Sequence, residues 1–133
     1  MVGLIWFVQI VHYPLMQCVG QAQFVNYEQQ HARFTTWVVG PSMLVEMMTL
    51  ACLLYAERTV IPRSWLWVSA SLLAVIWLST QFIQVPCHTS LSHAWDADIH
   101  RRLVQSNWIR TIAWSLRGLI LLACVAQPGR IAD

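Results

Sequence analysis

Apolar residues dominate four stretches of the chain, at about residues 2–24, 36–56, 64–85 and 107–126, and polar residues collect between them. A helix that crosses a membrane needs about 20 apolar residues, so each stretch is predicted to be one span. Pro14 lies inside the first and is expected to kink it beside His12, because proline lacks the donor that a helix interior uses. Residues 21–34 turn polar yet keep helical spacing. Gln17, Gln21, Glu28 and His31 fall on roughly one face, so the first helix is expected to run on past the apolar zone with that face turned inward.

The second stretch carries Thr35, Ser42, Glu46 and Thr49 on one face, and Gly40-Pro41 should bend its start. The third begins with Trp65 and Trp67, which read as interfacial anchors, and Pro86 should end or kink it. Gln81, Gln84 and His88 share a face near its far end. Residues 87–102 form the largest polar connection. Leu91, Trp95, Ile99 and Leu103 recur there at helical spacing, as a short amphipathic surface helix would place them. In the fourth stretch Asn107, Arg110, Thr111 and Trp114 make a stripe with Arg117 at its edge, and Gln127-Pro128-Gly129 should stop the helix. The expected fold is all-α, an antiparallel four-helix transmembrane bundle forming a single domain over residues 1–133. Both termini and the second connection then lie on one side. Nearly all the His and carboxylate residues lie on the other.

Composition sharpens this picture. Hydrophobic residues make up 57% of the 133 positions and charged residues 11%, against about 25% charged in average globular chains. Mean hydropathy is +0.52. The expected partner is the lipid bilayer, and the formal net charge of +2 gives no basis for binding nucleic acid. Arg58, Arg63 and Arg130 fall on one side of the four-span topology and Arg33, Arg101 and Arg102 on the other, so arginine counting does not set an orientation. Cys18, Cys52 and Cys124 sit in apolar stretches and read as small hydrophobes. Cys87, beside His88, is the one cysteine placed for chemistry. No CxxC spacing occurs, which removes zinc-ribbon and thioredoxin-like readings. Residues 1–10 lack a basic region, so no cleavable signal peptide is expected. The chain starts almost inside its first apolar stretch, so a few natural N-terminal residues are expected to be missing.

Arg110 and Arg117 stand inside an otherwise apolar segment. Arginine keeps its charge in proteins and costs about 2.5–3.5 kcal/mol at the centre of a bilayer on the mildest scale. Both therefore require partners on other helices. Counting from the loop side, Glu46 and Arg117 lie at equal depth, about 15 Å in, and should face each other, with His12 at the same level. Nearer the loops, Arg110 and Asn107 should meet Glu28, His31, Gln84 and His88. Glu28 and His31 form a Glu-x-x-His unit, able to share a metal on one helix face. A metal on Glu28, His31 and His88 is the variant reading, which no spacing demands. His93 and His100 read as solvated.

Several of these features, taken together, resemble a family of small bacterial four-helix integral membrane proteins with no assigned activity. They are His12-Tyr13-Pro14-Leu15, Tyr27-Glu28 with His31 and Arg33, Pro41 with Met43-Leu44 and Glu46, Thr80 with Pro86 and His88, and Asn107-Trp108-Ile109-Arg110-Thr111. That resemblance implies a bacterial inner-membrane location. More distantly, Thr80, Pro86, Asn107 and Arg110 are similar to the pattern of the anthrone oxygenase-like membrane family, some members of which oxidise polycyclic aromatics without a metal. Where that family has Asn after the helix-3 proline, this chain has His88. The expectation is a membrane oxidoreductase acting on a lipophilic small molecule. Arg110 and Asn107 would hold a substrate oxygen, His88 or His31 would act as base, Glu28 would orient the imidazole, and Glu46, Arg117 and His12 would support them. The alternative is a non-catalytic structural, ligand-binding or transporter-like subunit. As a homo-oligomer it could pair Arg117 with Glu46 of another copy.

Overall fold

Proline usually breaks a helix because its ring clashes with the carbonyl one turn back and it offers no N–H. Pro14 and Pro86 do not break their helices here. The computed structural model, which describes residues 1–59 and 61–126, carries both inside continuous helices. In each case a π turn comes just before the proline: Val8–His12 ahead of Tyr13-Pro14, and Thr80–Gln84 ahead of Val85-Pro86. Tyr13 N–H bonds back to the Val8 carbonyl and Val85 N–H to the Thr80 carbonyl. These wide turns accommodate the ring, and single π turns often mark functional positions.

Four helices make up the described chain: α1 Val2–Met16, α2 Gln21–Tyr55, α3 Arg63–Leu91 and α4 Ala97–Ala126. No strand occurs among the described residues. The expected boundaries need correcting in four places, one of them the end of α3, which runs on through Pro86 to Leu91 instead of stopping at residue 85. The first helix ends at Met16 instead of running on to residue 24 and beyond. Gly20 takes an extended conformation and starts a new helix, so the polar face with Glu28 and His31 belongs to α2, which continues unbroken through Pro41. The amphipathic stretch after Ser92 is the first part of α4, which begins at Ala97 instead of Asn107. The expected stop at Gln127-Pro128-Gly129 lies outside the described residues.

Local chemistry explains the ends. Asp96 Oδ1 accepts the N–H groups of Asp98 at 2.8 Å and Ile99 at 3.0 Å, a side-chain cap for the first turn of α4. Arg63 caps the other end of α2 by donating to the carbonyls of Leu54 and Ala56, where a cation also suits the helix dipole. Asp96→Ala should lower stability by about 1 kcal/mol, read as an earlier thermal unfolding midpoint, while Asp96→Asn should stay close to the parent. An unchanged midpoint for the alanine variant would mean the cap contributes nothing.

α4 packs against α3 most extensively and against α1, while α2 packs on α3. At Gly118 a Cβ would come within 2.9 Å of the Val2 side chain, which marks how closely α1 and α4 approach. The buried residues of α4 include His100, Leu103, Asn107, Arg110, Trp114 and Arg117. Their steps of three and four are the seam of a helix packed along its length. Two apolar clusters form the core. One includes Ile5, Met43, Ile76 and Ala113; the other includes Tyr13, Phe24, Cys87 and Leu103. Each helix places polar residues between these two: Gln9 on α1, Glu28 and His31 on α2, Thr80 and Gln84 on α3, Asn107 and Arg110 on α4.

α2, α3 and α4 are long and apolar enough to cross a membrane. α1, at about 22 Å, is shorter than the roughly 30 Å hydrocarbon layer, so three helices meet the length criterion where four were expected. Large apolar residues lie exposed on all four helices, among them Phe7, Trp37, Phe82 and Leu122.

Candidate functional site

The polar residues of the middle layer are joined into one chain of contacts that passes through all four helices. It starts on α2, where Glu28 is fully buried. Glu28 Oε1 lies 2.5 Å from His88 Nδ1 on α3. His88 Nε2 lies 3.0 Å from the Tyr13 hydroxyl on α1. Arg110 on α4 donates to the same hydroxyl from Nη2 at 3.3 Å and to Thr80 Oγ1 from Nη1 at 3.3 Å. Arg110 also donates to Asn107 Oδ1 from Nε at 2.9 Å and from Nη2 at 2.5 Å. Asn107 Nδ2 donates to Gln9 Oε1 at 2.8 Å, and Gln9 Nε2 donates to the Val104 carbonyl at 3.2 Å.

Direction follows from the donor inventory. A carboxylate only accepts, so His88 donates from Nδ1 to Glu28, and in the neutral ring Nε2 then accepts the Tyr13 O–H. Glu28 thereby fixes both the tautomer and the tilt of His88, and the tyrosine, imidazole and carboxylate form a three-member proton path. Glu28 Oε2 is buried and has no hydrogen-bond partner among the described residues. His31, one turn after Glu28, contacts His12 Nε2 at 2.9 Å and Thr35 Oγ1 at 3.1 Å through its Nδ1. The His12 and His31 rings stack with centroids 4.5 Å apart.

A cavity of about 360 Å³ opens onto this chain. Tyr13, His31, Thr80, Gln84, His88 and Arg110 line its polar part, and Leu4, Ile5, Val8, Val39 and Met43 line its apolar part. The apolar residues lie further along the helices, toward the first core cluster. Arg110 is 6% exposed, and its hydrogen bonds go to the uncharged Asn107, Thr80 and Tyr13. It has no carboxylate partner among the described residues. Trp114 lies under it, with the guanidinium 6.0 Å from the ring centroid.

Trp114 links this layer to a second one. Its Nε1 donates to Glu46 Oε2 at 2.9 Å, and Arg117 Nη1 lies 3.3 Å from the same oxygen. Arg117 Nε donates to Ser69 Oγ at 3.0 Å. The expected Glu46–Arg117 pair thus forms within one chain, so pairing with Glu46 of another copy is not needed to satisfy Arg117.

Other expectations meet the geometry differently. His12 sits with His31 and Tyr27 instead of level with Glu46 and Arg117; the chain breaks at Gly20, so His12 and His31 stand on different helices. Glu28 and Arg110 do not touch; His88 and Tyr13 stand between them. Asn107 is fully buried and spent on Arg110 and Gln9, so it positions the guanidinium and does not reach the cavity. His93 is exposed, but His100 is buried and its Nε2 donates to the Tyr13 carbonyl at 2.9 Å. Tyr13 and Gln9 were missed by residue-by-residue reasoning. A hydroxyl and an amide one turn apart ahead of a proline were the signal, and a regular helix through Pro14 gives them the wrong phase. Comparison with protein-family models, curated proteins and solved structures finds no match to this chain.

Proposed function

We propose that this chain is an integral membrane protein, an antiparallel four-helix bundle in the bacterial inner membrane. Its cavity takes a lipophilic small molecule and carries out an oxidoreductase reaction on it. The order of the two core clusters, which reverses from each helix to the next, supports the antiparallel arrangement. Exposed apolar residues on every helix support the bilayer. Membership of the small bacterial membrane family stands as part of the same proposal.

The observation that carries the ligand reading is Arg110, buried on the cavity wall with no acidic partner among the described residues. A desolvated cation is costly unless something compensates it, and an anionic or strongly polarised ligand oxygen does so. The apolar lining suits a hydrocarbon or aromatic body. The bound molecule gives its proton to the Tyr13 oxygen as the tyrosine O–H passes its own to Nε2 of His88, which Glu28 orients, and Arg110 stabilises the oxyanion left behind. An electron-rich anion of this kind gives up electrons to an oxidant such as dioxygen.

Trp77 and Trp114 line the cavity, so a lipophilic quinone should quench tryptophan emission of the purified protein saturably. Arg110→Met should weaken that binding by about 10- to 100-fold, the worth of a hydrogen bond to a charged group. Saturation at parental affinity in Arg110→Met would remove the reading.

A non-catalytic structural, ligand-binding or transporter-like subunit is favoured by one observation. Much of α2 is exposed, with Phe34, Trp37, Val45 and Met48 all turned outward, a surface that would suit a homo-oligomer. Saturable quenching with no turnover of any quinone or phenol tested would select this alternative.

A further inference from the structure

The Glu28, His31 and His88 cluster is also a ligand set, in which an ion would take the place of the proton between His88 and Glu28. Each residue offers one donor atom, and the three atoms lie within 4.8 Å of one another. We infer that these residues form a binding site for one divalent transition-metal ion, with its remaining coordination positions turned toward the cavity. The site goes beyond the ligand reading and does not depend on it.

Four observations carry the inference. First, two imidazoles and one carboxylate are a donor set that zinc, ferrous iron or manganese takes, whereas calcium and magnesium prefer all-oxygen sites. Second, Glu28 Oε2 is buried with no hydrogen-bond partner among the described residues. A carboxylate oxygen loses its water on burial and needs a compensating positive group, and an ion bound by both Glu28 oxygens would supply one.

Third, the ligands are already held from behind. Metal-bound histidines commonly fix their orientation through the other ring nitrogen. His88 has Tyr13 at its Nε2, 3.0 Å away, with Arg110 holding the tyrosine oxygen in turn. His31 is held through Nδ1 by Thr35 and His12. Fourth, His31 and His88 line the cavity, so an ion between them is reachable from it. Three protein ligands with open positions are the arrangement of a reactive metal, in contrast to the closed four-ligand sites that only stabilise a fold.

The adjustment required is small. Two ligand atoms bound to one ion at about 2.0–2.1 Å lie roughly 3.3 Å apart in a tetrahedral site. The Glu28–His88 contact of 2.5 Å would therefore open by less than ~1 Å, and the widest separation in the cluster would contract.

The test uses the full chain purified in mild detergent, stripped with a chelator and titrated separately with Zn²⁺, with Mn²⁺ and with Co²⁺ as a spectroscopic stand-in. The expected result is one ion per chain, visible with cobalt as ligand-field absorption bands and accompanied by a raised thermal midpoint. His31→Gln removes a ligand while leaving the Glu28–His88 contact intact, and it should weaken binding at least 100-fold. Glu28→Gln should do the same. His93→Gln, on an exposed residue away from the cluster, should bind as the parent does. Failure of the parent to bind any of the three ions near stoichiometry would overturn the inference, as would parental affinity in both His31→Gln and Glu28→Gln. Quinone quenching measured on the stripped protein reads the cavity separately, so loss of either property leaves the other standing.

Discussion

Asn107→Leu is expected to cost about 3 kcal/mol of stability, the largest effect of any single change considered. The asparagine is fully buried. Its oxygen accepts two N–H groups of Arg110, and its nitrogen donates to Gln9. Leucine keeps the branched shape but leaves Nε of the buried Arg110 and Oε1 of the buried Gln9 without the partner that Asn107 gave them. Unpartnered buried groups cost more than a formed hydrogen bond contributes, and a charged one costs most. Asn107→Asp should be milder, because the new carboxylate still accepts from Arg110 and adds a charge of the right sign, while the bond to Gln9 is lost. Denaturant unfolding in detergent measures both. A leucine variant within about 0.5 kcal/mol of the parent, the usual scatter for an inconsequential surface change, would show that Asn107 does not organise Arg110.

Arg117→Met is expected to cost about 2 kcal/mol for a related reason. Glu46 would keep the Trp114 indole N–H and lose its cation. Removing one member of a buried pair strands the other, whereas removing both does not. Arg117→Met with Glu46→Gln should therefore lose less than the two single variants added together. The difference should be on the order of 1–2 kcal/mol, as residues in direct contact give in such cycles. Strict additivity would mean that the 3.3 Å contact carries no energy. Because the pair lies within one chain, the cost should not change with protein concentration. Pairing between copies would make it change.

Much of this was legible before any coordinates. The apolar stretches mark the helical mass of the chain, and the stripe of Asn107, Arg110, Thr111 and Trp114 is buried on α4. Arg117 and Glu46 could be matched because an arginine in an apolar helix needs a partner on another helix and equal depth leaves one. The helix boundaries were less legible. Polar residues 21–34 have helical spacing in either assignment, and what decides between them is Gly20 taking an extended backbone, a conformation that periodicity does not report. Tyr13 was hidden by its neighbour. A phenol in an apolar run reads as packing, and its hydroxyl becomes central when Arg110 and His88 arrive from other helices. His100 shows the same limit, since its partner is a backbone carbonyl 87 positions away.

The wide turns ahead of Pro14 and Pro86 also set the angular bookkeeping of their helices. On α3 the buried positions Leu66, Ser69, Leu73, Ile76 and Ser79 advance by three or four, then jump by five to Gln84, then resume with Cys87 and Leu91. In a regular helix a jump of five swings a side chain about 140° off the seam. The π turn absorbs one residue and brings Gln84 back into line. On α1 the eight residues from Ile5 to Tyr13 would leave them about 80° apart, and the same absorption lets both face inward. Each of these helices therefore carries one residue more than its seam needs. Deleting that residue would restore the regular backbone ladder and leave both halves on one seam, but it would bring the proline ring against the carbonyl one turn back.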